Sequence, residues 1–329
     1  MRTDSVECLL CPNQCVIPEG RSGDCRARVN ISGKLITPGY SAPCAIHIDP
    51  VEKKPLYHFL PGSRTFSLAV AGCNLHCLNC QNWQISQKGP WETDNYTGVT
   101  PEHITEQSLK NKCASVSFTY TEPSVHPEYV IACAEKTRAA GLKNIMVTNG
   151  YMNPEPARTL YRFIDASNTD IKSMDEDFYR SVCSASLMPV LATLIIQKKL
   201  NVWIEITNLV LPGLNDSDVQ FKKLAKWVKE NLGNSTPVHF SRFFPLYRMK
   251  NLPPTPAETL FRARGIAVSE GLSNVYIGNI HPNPYNNTDC LSCKRTVIER
   301  TGYTVGTINI KNGRCGFCNK EIKGVWNDE

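Results

Sequence analysis

From residue 65 to residue 278 the chain alternates between short runs of apolar, β-branched or aromatic residues and longer stretches with helical spacing. The short runs are Thr65 to Ala71, Ala114 to Tyr120, Asn144 to Thr148, Ala166 to Ile171, Asn201 to Thr207, Val238 to Phe244 and Asn274 to Gly278. Pro101 to Lys112 follows Thr100 as a cap, and Pro127 to Ala140 is closed by Gly141. Pro154 to Phe163, Asp175 to Val182, Leu187 to Lys198, Asp218 to Leu232 and Pro256 to Glu270 continue the helical pattern. Such alternation builds a parallel sheet joined by helical crossovers. The expected fold class is α/β, a partial (β/α)6-type TIM barrel, whose reactive groups collect where strands end and loops begin.

The cysteines decide what such a sheet would carry. The chain has 15, which in an intracellular protein of this size point to metal ligation or redox chemistry rather than disulfides. Eleven fall in three groups: Cys8, Cys11, Cys15 and Cys25; Cys73, Cys77 and Cys80; and Cys290, Cys293, Cys315 and Cys318. Cys44, Cys113, Cys133 and Cys183 stand alone and read as small buried hydrophobes.

The middle group, in "AGCNLHCLNCQNWQ", directly follows the first strand. Three thiolates cannot close a four-ligand zinc site, and His76 within the loop reads as a solvent-facing residue. A cubane held by three cysteines leaves one iron open to a small molecule.

At the chain's start, Cys8, Cys11, Cys15 and Cys25 supply four ligands for zinc or an auxiliary iron-sulfur cluster. At its end, Cys290-x2-Cys293 and Cys315-x2-Cys318 flank a hairpin-like stretch with Asn312-Gly313 as a turn. They read as a zinc ribbon or rubredoxin-like module holding zinc or iron. The expected domains are an N-terminal Cys-rich module at 1–62, the barrel at 63–285 and the ribbon at 286–329. The net charge of +6 is spread without a like-charge block, and neither end module interleaves basic and aromatic residues as a phosphate-tracking surface would. Nucleic acid is therefore a distant alternative. No stretch approaches the roughly 18 apolar residues of a membrane span, and the start has no apolar leader core, so the expected location is cytoplasmic, with no membrane partner.

The spacing Cys73-x3-Cys77-x2-Cys80 after a first strand resembles the radical S-adenosylmethionine (SAM) enzymes. The resemblance implies a 4Fe-4S cluster on those three cysteines, with SAM chelated to the open iron and cleaved reductively to a 5'-deoxyadenosyl radical. Tyr120-Thr121-Glu122 occupies the place of the family's second-strand motif, commonly two glycines and a glutamate. Glu122 there would hold the methionyl amino group. Thr148-Asn149-Gly150 and Asp170-x-Lys172 resemble the third- and fourth-strand motifs of glycyl-radical activating enzymes, which implies SAM contacts for Asn149, Asp170 and Lys172. Glu205, near the end of the fifth strand, is expected among the same contacts. Asn79 stands where the family often has an aromatic residue facing adenine, leaving Trp83 or residues 274–280 to pack that ring. Val147 stands where activating enzymes carry an Asp that helps build a monovalent cation site.

Along almost its whole length the chain is similar to the radical SAM component of the AmmeMemoRadiSam system, a group like pyruvate formate-lyase activating enzyme. The resemblance runs from "CLLCPNQCVIPEGRSGDCRAR" through "TNGYM", "EITNLVLPGLND" and "HFSRFFPLYRM" to "CGFCNKEIKGVW". It implies two further protein components as partners and an electron donor such as flavodoxin or ferredoxin. The expected function is radical hydrogen abstraction from an unidentified substrate, a protein or peptide among the candidates. Activation of a glycyl-radical enzyme is the alternative. His239, Arg242, Phe243, Phe244, Tyr247 and Arg248 gather at the end of the sixth strand, on the face where substrate would enter.

Overall fold

The computed structural model describes residues 5–326. At its centre lies an eight-stranded sheet, hydrogen-bonded in chain order: β1 (Ala45–Pro50), β2 (Arg64–Ala69), β3 (Ser115–Phe118), β4 (Lys143–Thr148), β5 (Ala166–Asp170), β6 (Trp203–Val210), β7 (Val238–Arg242) and β8 (Val275–Gly278). β2 to β8 are parallel, while β1 is antiparallel to β2. Six helices cover the sheet: α1 (Pro101–Lys110), α2 (Pro127–Ala139), α3 (Pro154–Tyr161), α4 (Leu187–Lys199), α5 (Asp218–Asn231) and α6 (Ala257–Ser269). Among the described residues β8 and β1 do not pair, so the barrel stays open. All the expected strands are present; β1, which precedes residue 63, joins them unannounced.

Strand alternation sorts the two faces of the sheet. Phe66, Leu68, Val116, Phe118 and Met146 pack with Ile104, Tyr129 and Leu160 of the helices. Each such fully buried side chain contributes roughly 2 to 3 kcal/mol. The opposite face is buried yet polar: the register sets Ser67 beside Ser117, Asn168 beside Glu205, and His239 beside Tyr276. A buried polar row must find partners within the protein, so it dictates what covers the open side.

Residues 51–62 provide that cover. Glu205 accepts from the backbone N–H groups of Tyr57 (3.0 Å) and His58 (2.7 Å). The C-terminal module then locks this segment: Leu60 N–H donates to Val325, Val325 N–H donates to His58, and Arg300 donates to the Tyr57 carbonyl at 2.6 Å. Within the module Asn312 and Gly313 both have positive φ, at 48° and 71°, which a tight hairpin turn between Ile310–Lys311 and Arg314–Cys315 requires.

The helix expected over 175–182 is interrupted. Asp175 caps a short helix, Glu176–Phe178, and a π-helical segment, Tyr179–Cys183, follows it. That segment carries a carbonyl pair which the site uses. No single helix among the described residues is long and apolar enough to cross a membrane.

Candidate active site

The loop after β2 holds Cys73, Cys77 and Cys80 at the C-terminal ends of the strands. Two backbone hydrogen bonds attach it to the π-helical segment, from His76 N–H to the Cys183 carbonyl (3.0 Å) and from Leu78 N–H to that of Val182 (2.9 Å). Each thiol also has a polar neighbour. Cys73 Sγ accepts from Asn149 Nδ2 at 3.6 Å, and Cys80 Sγ lies 3.1 Å from Ser86 Oγ. The neighbouring Cys183 thiol and the Lys172 charge lower the pKa of Cys77, against the effect of burial. Burial and the nearby Glu122 push Cys73 the other way.

Glu122 follows β3 and is 1% exposed. It accepts from Ser124 N–H (3.0 Å), the Thr148 hydroxyl (2.8 Å) and Asn149 N–H (2.7 Å). Burial raises its pKa, and these donors oppose the rise. Asn149 therefore joins Glu122, through its backbone, to Cys73, through its amide. Asp170 and Lys172 share a face at the end of β5 and pair with each other at 2.8 Å. Burial works against the Lys172 charge, but Asp170 and the thiols of Cys77 and Cys183 outweigh it and hold the ammonium well above its ordinary range. A fixed cation beside Cys77 and Cys80 favours their thiolate forms.

Asn79 is buried, and its Oδ1 has no hydrogen-bond partner. An orphan acceptor inside the cysteine loop suits a site built to receive a donor. Trp83 stacks on Tyr247 with ring centres 5.1 Å apart, and the same segment is tied to the loop by Arg248 N–H to the Leu78 carbonyl and Gln81 Nε2 to that of Phe244. Phe243 turns instead into the core.

Three expected contacts have other partners. Tyr120 donates its hydroxyl to Asp49, inside a buried pair with Lys54, and has φ of 68°. A left-handed conformation suits the glycine common at this motif and costs a tyrosine about 1 to 2 kcal/mol, which its hydroxyl and the Asn82 bond to its carbonyl offset. Thr121 donates to the Val70 carbonyl, bracing the turn. Glu205 sits one pleat deeper than Asp170, since its β5 neighbour is Asn168. All its partners are Tyr57, His58, Trp203 and His239, and none belongs to the cysteine loop. His76 also differs from expectation: it bridges Asp24 and Gln87, at 2.8 Å each, so both ring nitrogens are engaged.

A cavity of about 390 Å³ opens between the ends of β7 and β8 and the C-terminal module, lined by Tyr57, Ser241, Arg242, Phe244, Asn283 and Tyr303 among others. In the C-terminal group all four sulfurs lie within 4.8 Å of one another, with Cys290 to Cys318 at 3.6 Å and Cys293 to Cys315 at 3.8 Å. A tetrahedral ion with bonds of about 2.3 Å sets its sulfurs about 3.8 Å apart, so these four could hold one metal ion. Around them is only a small apolar cluster, including Val297, Ile298, Ile310 and Ile322. Chelation, or Cys315→Ser, is expected to unfold this module, a site of this kind being worth on the order of 10 kcal/mol. Limited proteolysis reads the result, with new cleavage confined to residues 288–326.

Residues 68–225, which include this loop, Glu122, Asn149, Asp170 and Lys172, match the family described as the Radical SAM superfamily. The chain is 44% identical to an uncharacterized protein of Methanocaldococcus jannaschii, over 97% of this chain and 95% of that one. It is 23% identical to pyruvate formate-lyase 1-activating enzyme of Escherichia coli K12, over 64% of this chain and 91% of that one. Among solved structures, a radical SAM methyltransferase from Sphaerobacter thermophilus shares the fold with a TM-score of 0.50 at 14% identity, covering 67% of each chain. The chain belongs to the radical SAM superfamily. It is a SAM-dependent radical enzyme, an iron-sulfur protein that cleaves SAM reductively and abstracts hydrogen from its substrate.

Proposed function

We propose that Cys73, Cys77 and Cys80 hold the 4Fe-4S cluster, and that Glu122, Asn149, Asp170 and Lys172 bind the SAM chelated to it. The observation that carries this reading is the bridge made by Asn149, which connects the Glu122 carboxylate to the Cys73 thiol. A cluster with one open iron supplies the electron that breaks the SAM sulfonium bond. Glu122 gives an ammonium an ionic acceptor fixed by three donors, and Lys172, already on Asp170, presents a cation to a carboxylate. Asn79 offers its unpaired Oδ1 to an adenine amino group, and Thr121 and Tyr120 shape the turn that presents Glu122.

The cavity beside β7 and β8 takes the substrate, with Arg242 and Phe244 at its rim. The C-terminal cysteines hold zinc and the N-terminal four an iron-sulfur cluster. The protein works in the cytoplasm as the radical component of an AmmeMemoRadiSam system, with its two partner proteins and a flavodoxin- or ferredoxin-type donor. Activation of a glycyl-radical enzyme is a second reading, supported by the similarity to pyruvate formate-lyase 1-activating enzyme.

The test is anaerobic. Reconstituted protein given dithionite and SAM is expected to release 5'-deoxyadenosine and methionine. An intact cluster by absorption and iron content, with no product, overturns the reading. An electron spin resonance signal of a glycine radical on an added partner would select the activase reading.

A further inference from the structure

The N-terminal cysteines lie against the radical-site loop. Cys8, Cys11, Cys15 and Cys25 line one small internal space. Unlike the C-terminal four, they are not drawn together into a group whose ligand atoms all lie within 4.8 Å. A multi-iron cluster spaces its thiolates more widely than a single ion does, so this wider ring suits a cluster.

Several contacts join that ring to the loop. Asn13 Nδ2 donates to the Asn74 carbonyl at 3.1 Å, Asp24 meets His76, and Asn153 Nδ2 donates to the carbonyls of Leu9 and Cys11. The backbone of Cys25 passes so close to Gly72 that a Cβ there would stand 2.7 Å from its carbonyl oxygen; Gly72, at φ 116°, is what permits the approach.

One path runs from the N-terminal cysteine ring to the Cys73 sulfur. Asn13, between Cys11 and Cys15 in the chain, donates to the Asn74 carbonyl at 3.1 Å, and Asn74 Oδ1 accepts from Asn149 Nδ2 at 2.9 Å. Asn149 Nδ2 also donates to Cys73 Sγ. Asn74 is fully buried and Asn149 nearly so, and such amides are kept only when satisfied, as they are here by each other, the Cys73 thiol and the Tyr151 carbonyl. The N-terminal cysteine segment and the Cys73 thiol are thus linked through Asn13, Asn74 and Asn149.

We propose that the N-terminal cysteines are the electron entry site of this enzyme and that Asn74 and Asn149 couple them to the radical-site thiolate of Cys73. This rests on the reading that both groups hold iron-sulfur clusters. One electron from a reduced flavin or iron-sulfur donor protein reduces the N-terminal cluster. That cluster is reoxidised by one electron as the radical-site cluster gains it, and no atom is transferred.

The test is electron spin resonance of the anaerobically reconstituted full chain. Dithionite-reduced wild type is expected to show two cluster signals broadened by mutual spin coupling. Cys25→Ser is expected to lose iron and one signal, leaving the other narrow. Asn74→Leu is expected to keep both clusters but to slow the appearance of the radical-site signal severalfold when reduced flavodoxin, sampled by freeze-quench, is the donor. Two uncoupled signals, or an unchanged rate in Asn74→Leu, overturn the relay. Zinc in place of iron at the N-terminal group, with the Cys73 signal intact, overturns the entry site alone. No cluster signal surviving in Cys25→Ser means instead that the radical-site reading has failed. If Asn74→Leu does not fold, the spin coupling in wild type still decides.

Discussion

Cys73→Ala is expected to bring 5'-deoxyadenosine formation down to the level of cluster-free protein while leaving the sheet folded. Cys73 is on a loop, and its thiol accepts from Leu75 N–H and from Asn149 Nδ2, which also donates to Asn74 Oδ1. Its loss removes one of three thiolates from a set with no spare, so the cluster is lost or becomes labile. Cys183→Ala makes the useful contrast. It removes a buried thiol on the residue whose carbonyl receives His76 N–H from the cysteine loop, yet no ligand, so it should weaken the cluster and reduce the rate without abolishing it. Iron content, circular dichroism and product assay together read the outcome. Full activity in Cys73→Ala would remove the three-cysteine site from consideration.

The positions of the main strands and helices were legible because buried parallel strands and capped helices leave strong patterns, as at Thr100, whose hydroxyl accepts from His103 N–H at the start of α1. β1 was not, although its Ile46 and Ile48 alternate with His47 and Asp49. It is an edge strand with Ile48 40% exposed, so neither face has the uniform burial that marks a core strand. The break in the helix before Cys183 was illegible for another reason: the π-helical segment is held by hydrogen bonds to a loop a hundred residues away. In the site, the three cysteines, Glu122 and Asn149 stood out by spacing and strand position. Asn74, Ser86 and Cys183 did not, because a single polar residue that satisfies a neighbour carries no periodic signature. Glu205 shows the converse. A carboxylate near a strand end invites a cofactor role, and only the three-dimensional register shows that it lies one pleat deeper.

Glu205 therefore gives the second large effect, on stability rather than on SAM. Its side chain is fully buried and receives Tyr57 N–H, His58 N–H, the Trp203 indole N–H at 3.1 Å and His239 Nε2 at 2.7 Å. Burial alone would raise its pKa, but the His239 contact and these donors outweigh it and hold the carboxyl below its usual range. A depressed carboxylate contributes stability above its unfolded pKa of about 4.3 and loses it as the pH falls through the lower folded value. Glu205→Ala leaves two backbone donors and a histidine buried without their acceptor, a loss of about 3 to 5 kcal/mol. Because the lost acceptor anchors residues 57 and 58, the open side of the sheet should loosen first. Hydrogen exchange would then rise at Tyr57 and His58 before it rises in β2 to β4. Glu205→Gln, which keeps the shape, should fall between. If Glu205 instead met the cofactor, the Gln variant would raise the KM for SAM at an unchanged melting temperature. A lowered melting temperature at unchanged KM places its work in holding residues 51–62 over the polar face, where they form one wall of the cavity beside β7 and β8.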